Sequence, residues 1–265
     1  MSPERDVTYE TRYERLQAAR TKYEEVMTYP GPGPTKPYYE AGVVGFVFGE
    51  MWSRPGLNRR DRRWITLTCV GAMGATIPIQ THFFAALNSG DCTIEELEEF
   101  TLFFGTQCGW PRAQVVDQFV IEAAQRVGVE RRGFEPWADP ASPTDRHERG
   151  RDAYADIMCA PPPESDTVFR RLGYLDYLYG EIWTRPVLTR RERRIIALCC
   201  AAIVEAEVEA HAFAALKSGD LTFEELQELV LHYAVYCGWQ AGAHLDDIAV
   251  KAAVRAGVRV LDNSV

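Results

Sequence analysis

The sequence lacks most of the features that would assign a chain quickly to a class. No apolar run reaches the roughly 20 residues that a membrane-spanning helix needs, so no membrane partner is expected. The opening residues, MSPERDVTYETRYERL, are charged from the fourth position and lack the apolar core of a secretory signal. Lysine and arginine (29) are outnumbered by aspartate and glutamate (38), giving a formal net charge of −9. Binding phosphates needs a basic footprint, so nucleic acid is not an expected partner. The seven cysteines are odd in number and form no C-x-x-C pair, which reads as reduced thiols in a cytoplasmic protein. No stretch sustains period-two alternation, and neither G-x-G-x-x-G nor G-x-x-x-x-G-K-[ST] occurs. H-x-x-x-H and H-E-x-x-H are absent too, so neither a metal nor another cofactor is expected.

What the sequence does have is a repeat. Residues 85–99, AALNSGDCTIEELEE, return at 214–228 as AALKSGDLTFEELQE, identical at eleven of fifteen positions. Upstream, GEMWSRPGLNRRDRR from Gly49 matches GEIWTRPVLTRRERR from Gly180. Downstream, the CGW at Cys108 matches that at Cys237. The offset is 131 before the central helix and 129 after it, so the first copy carries two extra residues between about Val70 and His82. Duplication on this scale means two units packed on one another.

The chain divides accordingly into an N-terminal helix and linker (1–37), a first module (38–128), a Pro/Gly-rich linker (129–165) and a second module (166–265). The linker contains Pro136, Pro140, Pro143 and the run Pro161–Pro163, with a short helix expected around Glu148–Met158 and a solvated His147. Capping-box spacings mark helix starts: Thr189 with Glu192, Thr222 with Glu225, Thr93 with Glu96 and, more weakly, Asn58 with Asp61. Each module is read as about five helices, in the second copy 166–183, 189–203, 206–217, 222–237 and 240–256. The expected fold is all-α, with two modules about an approximate two-fold axis and an irregular linker over the surface. Phe83, Phe84, Phe100, Phe103 and Phe104 present more apolar faces than one helix pair covers, so a homo-oligomer, most simply a trimer, is expected.

Two histidines occupy equivalent places, His82 and His211, each on the short third helix of its module. One reading is a half-buried structural histidine; the other is an acid–base group. Glu207 lies four residues before His211, where one helical turn would let it orient the imidazole or raise its pKa. Pro78 takes that place before His82. Arginines cluster at the start of the second helix of each module: Arg59, Arg60, Arg62 and Arg63, then Arg190, Arg191, Arg193 and Arg194. They form either a salt-bridged face or, through Arg191 or Arg193 and their counterparts Arg60 or Arg62, a fork for a substrate carboxylate. The second copy has the polar His232 and Tyr236 where the first has Phe103 and Gln107.

The order W-x-R-P-x-L-x-x-R-x-R, then H-x-x-x-A-L-x-x-G, then T-x-E-E-L-x-E and Y-C-G resembles the carboxymuconolactone decarboxylase family, which shares its helical fold with the alkylhydroperoxidase D proteins. The resemblance covers roughly 38–127 and 169–257. The second copy is closer, through Trp183, Arg185, Pro186, Leu188, Arg191, Arg193, His211, Ala215, Gly219, Glu225, His232, Tyr236 and Gly238. The peroxidase branch carries C-x-x-C-x-x-x-H. Counted back from His211 those cysteine positions are Val204 and Glu207, and from His82 they are Ala75 and Pro78, so that thiol route is absent. The acid partner in that branch falls on Glu192. The decarboxylase branch implies a cofactor-free lyase acting on a small carboxylated lactone. A histidine would serve as proton donor and an arginine as carboxylate clamp. Alternatives within the same fold are a hydrolase, an isomerase, a peroxiredoxin-like oxidoreductase, or a non-catalytic binding protein. The site expected on this basis is His211 with Glu207 or Glu192, Arg191 or Arg193, and His232 and Tyr236; His82 is its weaker counterpart.

Overall fold

The computed structural model describes residues 11–33, 35–130 and 142–258, and every regular element among them is helical. Linker residues 131–141, including Pro136 and Pro140, lie outside the described residues, as do the first ten and the last seven. The helices of the first half are α1 (Arg12–Met27), α2 (Tyr38–Phe48), α3 (Arg59–Met73), α4 (Thr76–Asn88), α5 (Ile94–Cys108) and α6 (Trp110–Val127). Those of the second are α7 (Pro143–Met158), α8 (Phe169–Ile182), α9 (Arg190–Val204), α10 (Val208–Ser218), α11 (Phe223–Cys237) and α12 (Trp239–Ala256). The expected capping boxes close α5, α9 and α11: in each, the threonine accepts from the third backbone N–H and the glutamate accepts from the threonine's own.

The structural repeat is longer than the sequence repeat. The linker helix extends from Pro143, well before the expected Glu148, and is the counterpart of α1 at the offset of 131. Arg63 donates to the Val26 carbonyl of α1, and Arg194 donates to the Ile157 carbonyl of α7. Arg59 pairs with Glu25, and Arg190 with Asp156. Helix α7 seats on α8 at Gly150, where a Cβ would lie 2.3 Å from the Leu175 carbonyl oxygen, so only glycine permits this approach. His147 is not free in solvent. Its Nδ1 lies 2.6 Å from the buried Asp176 of α8, and its Nε2 lies 3.1 Å from Ser165 of the connecting loop.

Helices α2 and α8 are wound with i→i+5 hydrogen bonds, as in Gly49 N–H to Val44 and Trp183 N–H to Leu178, each 3.0 Å. Such π-winding is rare and concentrates at functional sites. Here it delivers Trp52 and Trp183 to the inside of the fold, both 5% exposed.

The two modules form one continuous core. Phe83, Phe100, Phe103 and Phe104 are fully buried in it, and Phe84 is partly buried with Arg126 over its ring. These side chains are covered within a single chain, so the argument from them for further copies falls away. Reciprocal ion pairs join the modules. Arg60 binds Glu96 of its own module and Glu192 of the other, and Arg191 binds Glu225 and Asp61. Arg54 and Arg62 bind Glu228; Arg185 and Arg193 bind Glu99. Each contact thus recurs with the modules exchanged, as an approximate two-fold axis requires.

Candidate active site

Each module places its histidine against its own tryptophan. His82 stacks on Trp52 with ring centroids 6.5 Å apart, and His211 stacks on Trp183 at 6.4 Å. Both imidazoles are 5–6% exposed, and the Nδ1 of each is buried without a hydrogen-bond partner among the described residues. Burial first, and a nearby guanidinium second, push both down from 6.5 to about 3: Arg63 acts on His82 and Arg194 on His211. Both rings are therefore neutral at pH 7.

The rest of each site comes from the other module. Helix α11 of the second module packs on α3 of the first and brings His232 and Tyr236 to His82, not to His211. Tyr236 stands edge-on to His82 at 5.7 Å, and its hydroxyl accepts from the Trp52 indole N–H at 3.0 Å. An Arg62 guanidinium N–H lies 3.3 Å from His232 Nδ1 and can only donate, so that nitrogen accepts. The opposite nitrogen, Nε2, then carries the proton and donates to Thr66 Oγ1 at 2.9 Å. The site beside His82 is thus filled by a polar chain running from Trp52 through Tyr236, and by a second one from Thr66 through His232 and Arg62 to Glu228.

Beside His211 the corresponding residues come from α5 and are Phe103 and Gln107, and Ala197 replaces Thr66. Phe103 meets Trp183 edge-on at 5.1 Å. Gln107 stands where Tyr236 stands in the first module, and a cleft of about 710 Å³ opens, lined by His211, Gln107, Trp110, Tyr174, Tyr177 and Glu207 among others. That volume lies within the ~300–1,000 Å³ usual for small-molecule sites, and an aromatic wall with a few polar groups is the usual lining.

Glu207 is placed differently from the i−4 expectation. It precedes α10 in a left-handed conformation, φ +55°, a strained setting for a residue with a side chain. Its carbonyl accepts the His211 backbone N–H, and its carboxylate accepts the Tyr174 hydroxyl at 2.7 Å. Glu207 therefore shares the cleft with His211 without gripping the imidazole. Glu192 caps α9 and binds Arg60 and the Trp64 indole. Arg191, Arg193, Arg60 and Arg62 are committed to carboxylates at the module interface. The cation that does line the cleft is Arg170, which sequence reading did not single out; it stands at the start of α8, paired at the surface with Asp166. Tyr174 was missed as well. The visible signal was that the first copy has Val43 at the Tyr174 position and Tyr39 at the Arg170 position.

The three buried histidines make stability sensitive to mild acid. His82, His211 and His232 are held below their ordinary 6.5 when folded, and unfolding restores it. Between about pH 6.5 and 3 the unfolded chain binds more protons at His82 and His211, so stability falls as pH falls, by up to about 1.4 kcal/mol per pH unit for each of these two, and His232 acts in the same direction. Glu192, Glu225 and Glu228 are held below the ordinary carboxylate range, so their contribution is present above that range and is lost only at lower pH. The urea midpoint is expected to drop steeply from pH 6.5 to 5. A midpoint flat across that interval would contradict the neutral, buried histidines.

Residues 172–251 match the carboxymuconolactone decarboxylase family, a span that includes Tyr174, Trp183, Glu207 and His211. Among characterised relatives, a 4-carboxymuconolactone decarboxylase of Acinetobacter baylyi is 32% identical over 87 residues, which are 33% of this chain and 64% of that protein. A nitrosuccinic acid decarboxylase of Metarhizium robertsii is 37% identical over 90 residues, 33% of this chain and 62% of that protein. The chain spans a little under two thirds of the length of each of these relatives. The stretch that is similar to the carboxymuconolactone decarboxylase family thus lies within the second copy of the helical module and holds the tryptophan and histidine of its site.

Proposed function

We propose that the chain is a cofactor-free lyase that removes CO₂ from a small carboxylated compound, a lactone or an activated dicarboxylate, in the cleft at His211. The observation that carries this reading is the pairing of an open, aromatic-walled cleft with a buried imidazole whose Nδ1 has no partner among the described residues. Both matched relatives are named as decarboxylases of carboxylated small molecules, which supports the reaction class.

The chemistry follows from burial. An incoming carboxylate loses hydration in the cleft, which favours dispersal of its charge and hence release of CO₂. Its negative charge also offsets the desolvation that keeps His211 neutral, so the imidazole takes up a proton as the substrate binds. When the carbon–carboxylate bond breaks, its electron pair stays on carbon, delocalised into the neighbouring carbonyl or nitro group. The imidazolium then gives its proton to that carbon and returns to neutral. Arg170 at the cleft offers a positive charge to a substrate carboxylate, and Tyr174, its hydroxyl held by Glu207, forms part of the wall.

Incubation with carboxylated lactones and nitro-substituted dicarboxylates, followed by mass spectrometry, tests the reaction class. The expected product is lighter than the substrate by one CO₂. A product of unchanged mass would indicate an isomerase and a gain of water a hydrolase; tight binding with no product would indicate a binding protein. Each of these results overturns the decarboxylase reading.

A further inference from the structure

The approximate two-fold axis allows each site to be read against the other, and one atom differs in its state. The Trp52 indole N–H is satisfied by the Tyr236 hydroxyl at 3.0 Å. The Trp183 indole N–H is buried just as deeply and has no partner among the described residues. At the position corresponding to Tyr236 stands Gln107, whose amide reaches the Thr106 hydroxyl at 3.4 Å and not the indole. Gln107 and His211 both line the cleft, and Trp183 stacks on His211 with the ring planes 13° apart. Leaving a buried donor unsatisfied is costly, and native proteins leave few so. The equivalent tryptophan in the same chain shows what satisfies it, an oxygen reached from the neighbouring module.

We infer that the Trp183 indole N–H donates a hydrogen bond to an oxygen of the bound ligand, and that in the first module Tyr236 imitates this oxygen and keeps the His82 site closed. The inference rests on the reading of the His211 cleft as a carboxylate site and adds the group that fixes the ligand's orientation. The ligand oxygen occupies the place that the Tyr236 hydroxyl takes in the first module, between Gln107 and His211. Trp183 is then a binding residue of the second site, whereas Trp52 is a structural one. One working site per chain follows, although the histidine and the tryptophan are both duplicated.

The indole N–H resonances of the ¹⁵N-labelled full-length protein, followed during titration, test this. The probes are succinate and 5-oxotetrahydrofuran-2-carboxylate, a stable carboxylated lactone, at millimolar concentration. Trp110 lines the cleft and reports occupancy independently. The expected result is that at least one probe moves both the Trp110 and the Trp183 resonances and leaves Trp52 in place. Trp183→Phe keeps an aromatic ring and removes the donor; it is expected to weaken binding about 10-fold or more, the range for a hydrogen bond to a charged oxygen. Gln107→Tyr is expected to supply the missing hydroxyl, shift the Trp183 resonance without any probe, and abolish binding. If a probe moves Trp110 while Trp183 stays fixed in the wild type, the role of Trp183 is overturned and the cleft survives as the site. That comparison needs no variant, so it holds even if Trp183→Phe fails to fold. If neither probe moves Trp110 or Trp183, the carboxylate cleft itself is refuted, and the inference with it.

Discussion

His211→Asn is expected to remove most turnover, on the order of 10²–10⁴-fold, while the chain stays folded. The imidazole is neutral when the cleft is empty, so replacing it with a neutral amide removes no charge and no hydrogen bond to its Nδ1 among the described residues. What the variant loses is the group that can take up a proton with the substrate and return it to carbon. His82→Asn is the matched control. Its ring is as deeply buried and stacks on the equivalent tryptophan, Trp52, but the Tyr236 hydroxyl already takes up the Trp52 indole N–H. Its turnover is expected to stay within a few-fold of wild type. A rate constant for CO₂ release from each variant, alongside a urea midpoint, separates lost chemistry from lost fold. If His211→Asn retains turnover and His82→Asn loses it, the reaction belongs to the first module. If both retain it, the duplicated histidine is structural and the proposed mechanism fails.

The sequence made the helices and the duplication legible because both are local. Capping boxes at Thr93, Thr189 and Thr222 act within a few residues. The same locality explains what was missed. His232 and Tyr236 lie in the same copy as His211 and 21 and 25 residues beyond it, so proximity in sequence assigns them to the wrong histidine. They reach His82 only because α11 crosses the two-fold axis, a fact set by the packing of buried faces. The arginine clusters posed the same difficulty. A helix start rich in arginine is unfavourable for the helix dipole unless acids answer it, and the answering Glu99, Asp61, Glu192 and Glu228 come from the other module. The longer repeat did leave a trace. Shifting Tyr23 and Met27 by 131 lands on Tyr154 and Met158, but two residues in a polar helix do not stand out against the Pro/Gly-rich segment that precedes α7.

That cross-module charge system supplies the largest stability effect expected. Glu99 is 4% exposed and accepts from Arg185 and from Arg193, which is itself fully buried. Burial pulls the Arg193 guanidinium below its ordinary value, and the charge of Glu99 opposes that pull. Glu99→Ala takes that charge away and leaves Arg193 buried with its carbonyl contact to Arg185. Removing one partner of a buried pair costs about 3–5 kcal/mol, because the remaining charge is still desolvated. Attraction between the two charges is not the measure of that loss. Replacing both members, Glu99→Leu with Arg193→Leu, is therefore expected to restore much of the stability, since the desolvated cation goes as well. Glu25, paired with Arg59 at the surface, gives the contrast: Glu25→Ala is expected to cost under about 1 kcal/mol. Urea unfolding of the three variants at pH 7 distinguishes the cases. If Glu99→Ala costs no more than Glu25→Ala, water reaches Arg193 in the folded protein and the module interface is looser than this packing describes. If the double variant is as unstable as Glu99→Ala alone, the pair contributes through geometry that leucines cannot replace, and the charge argument fails.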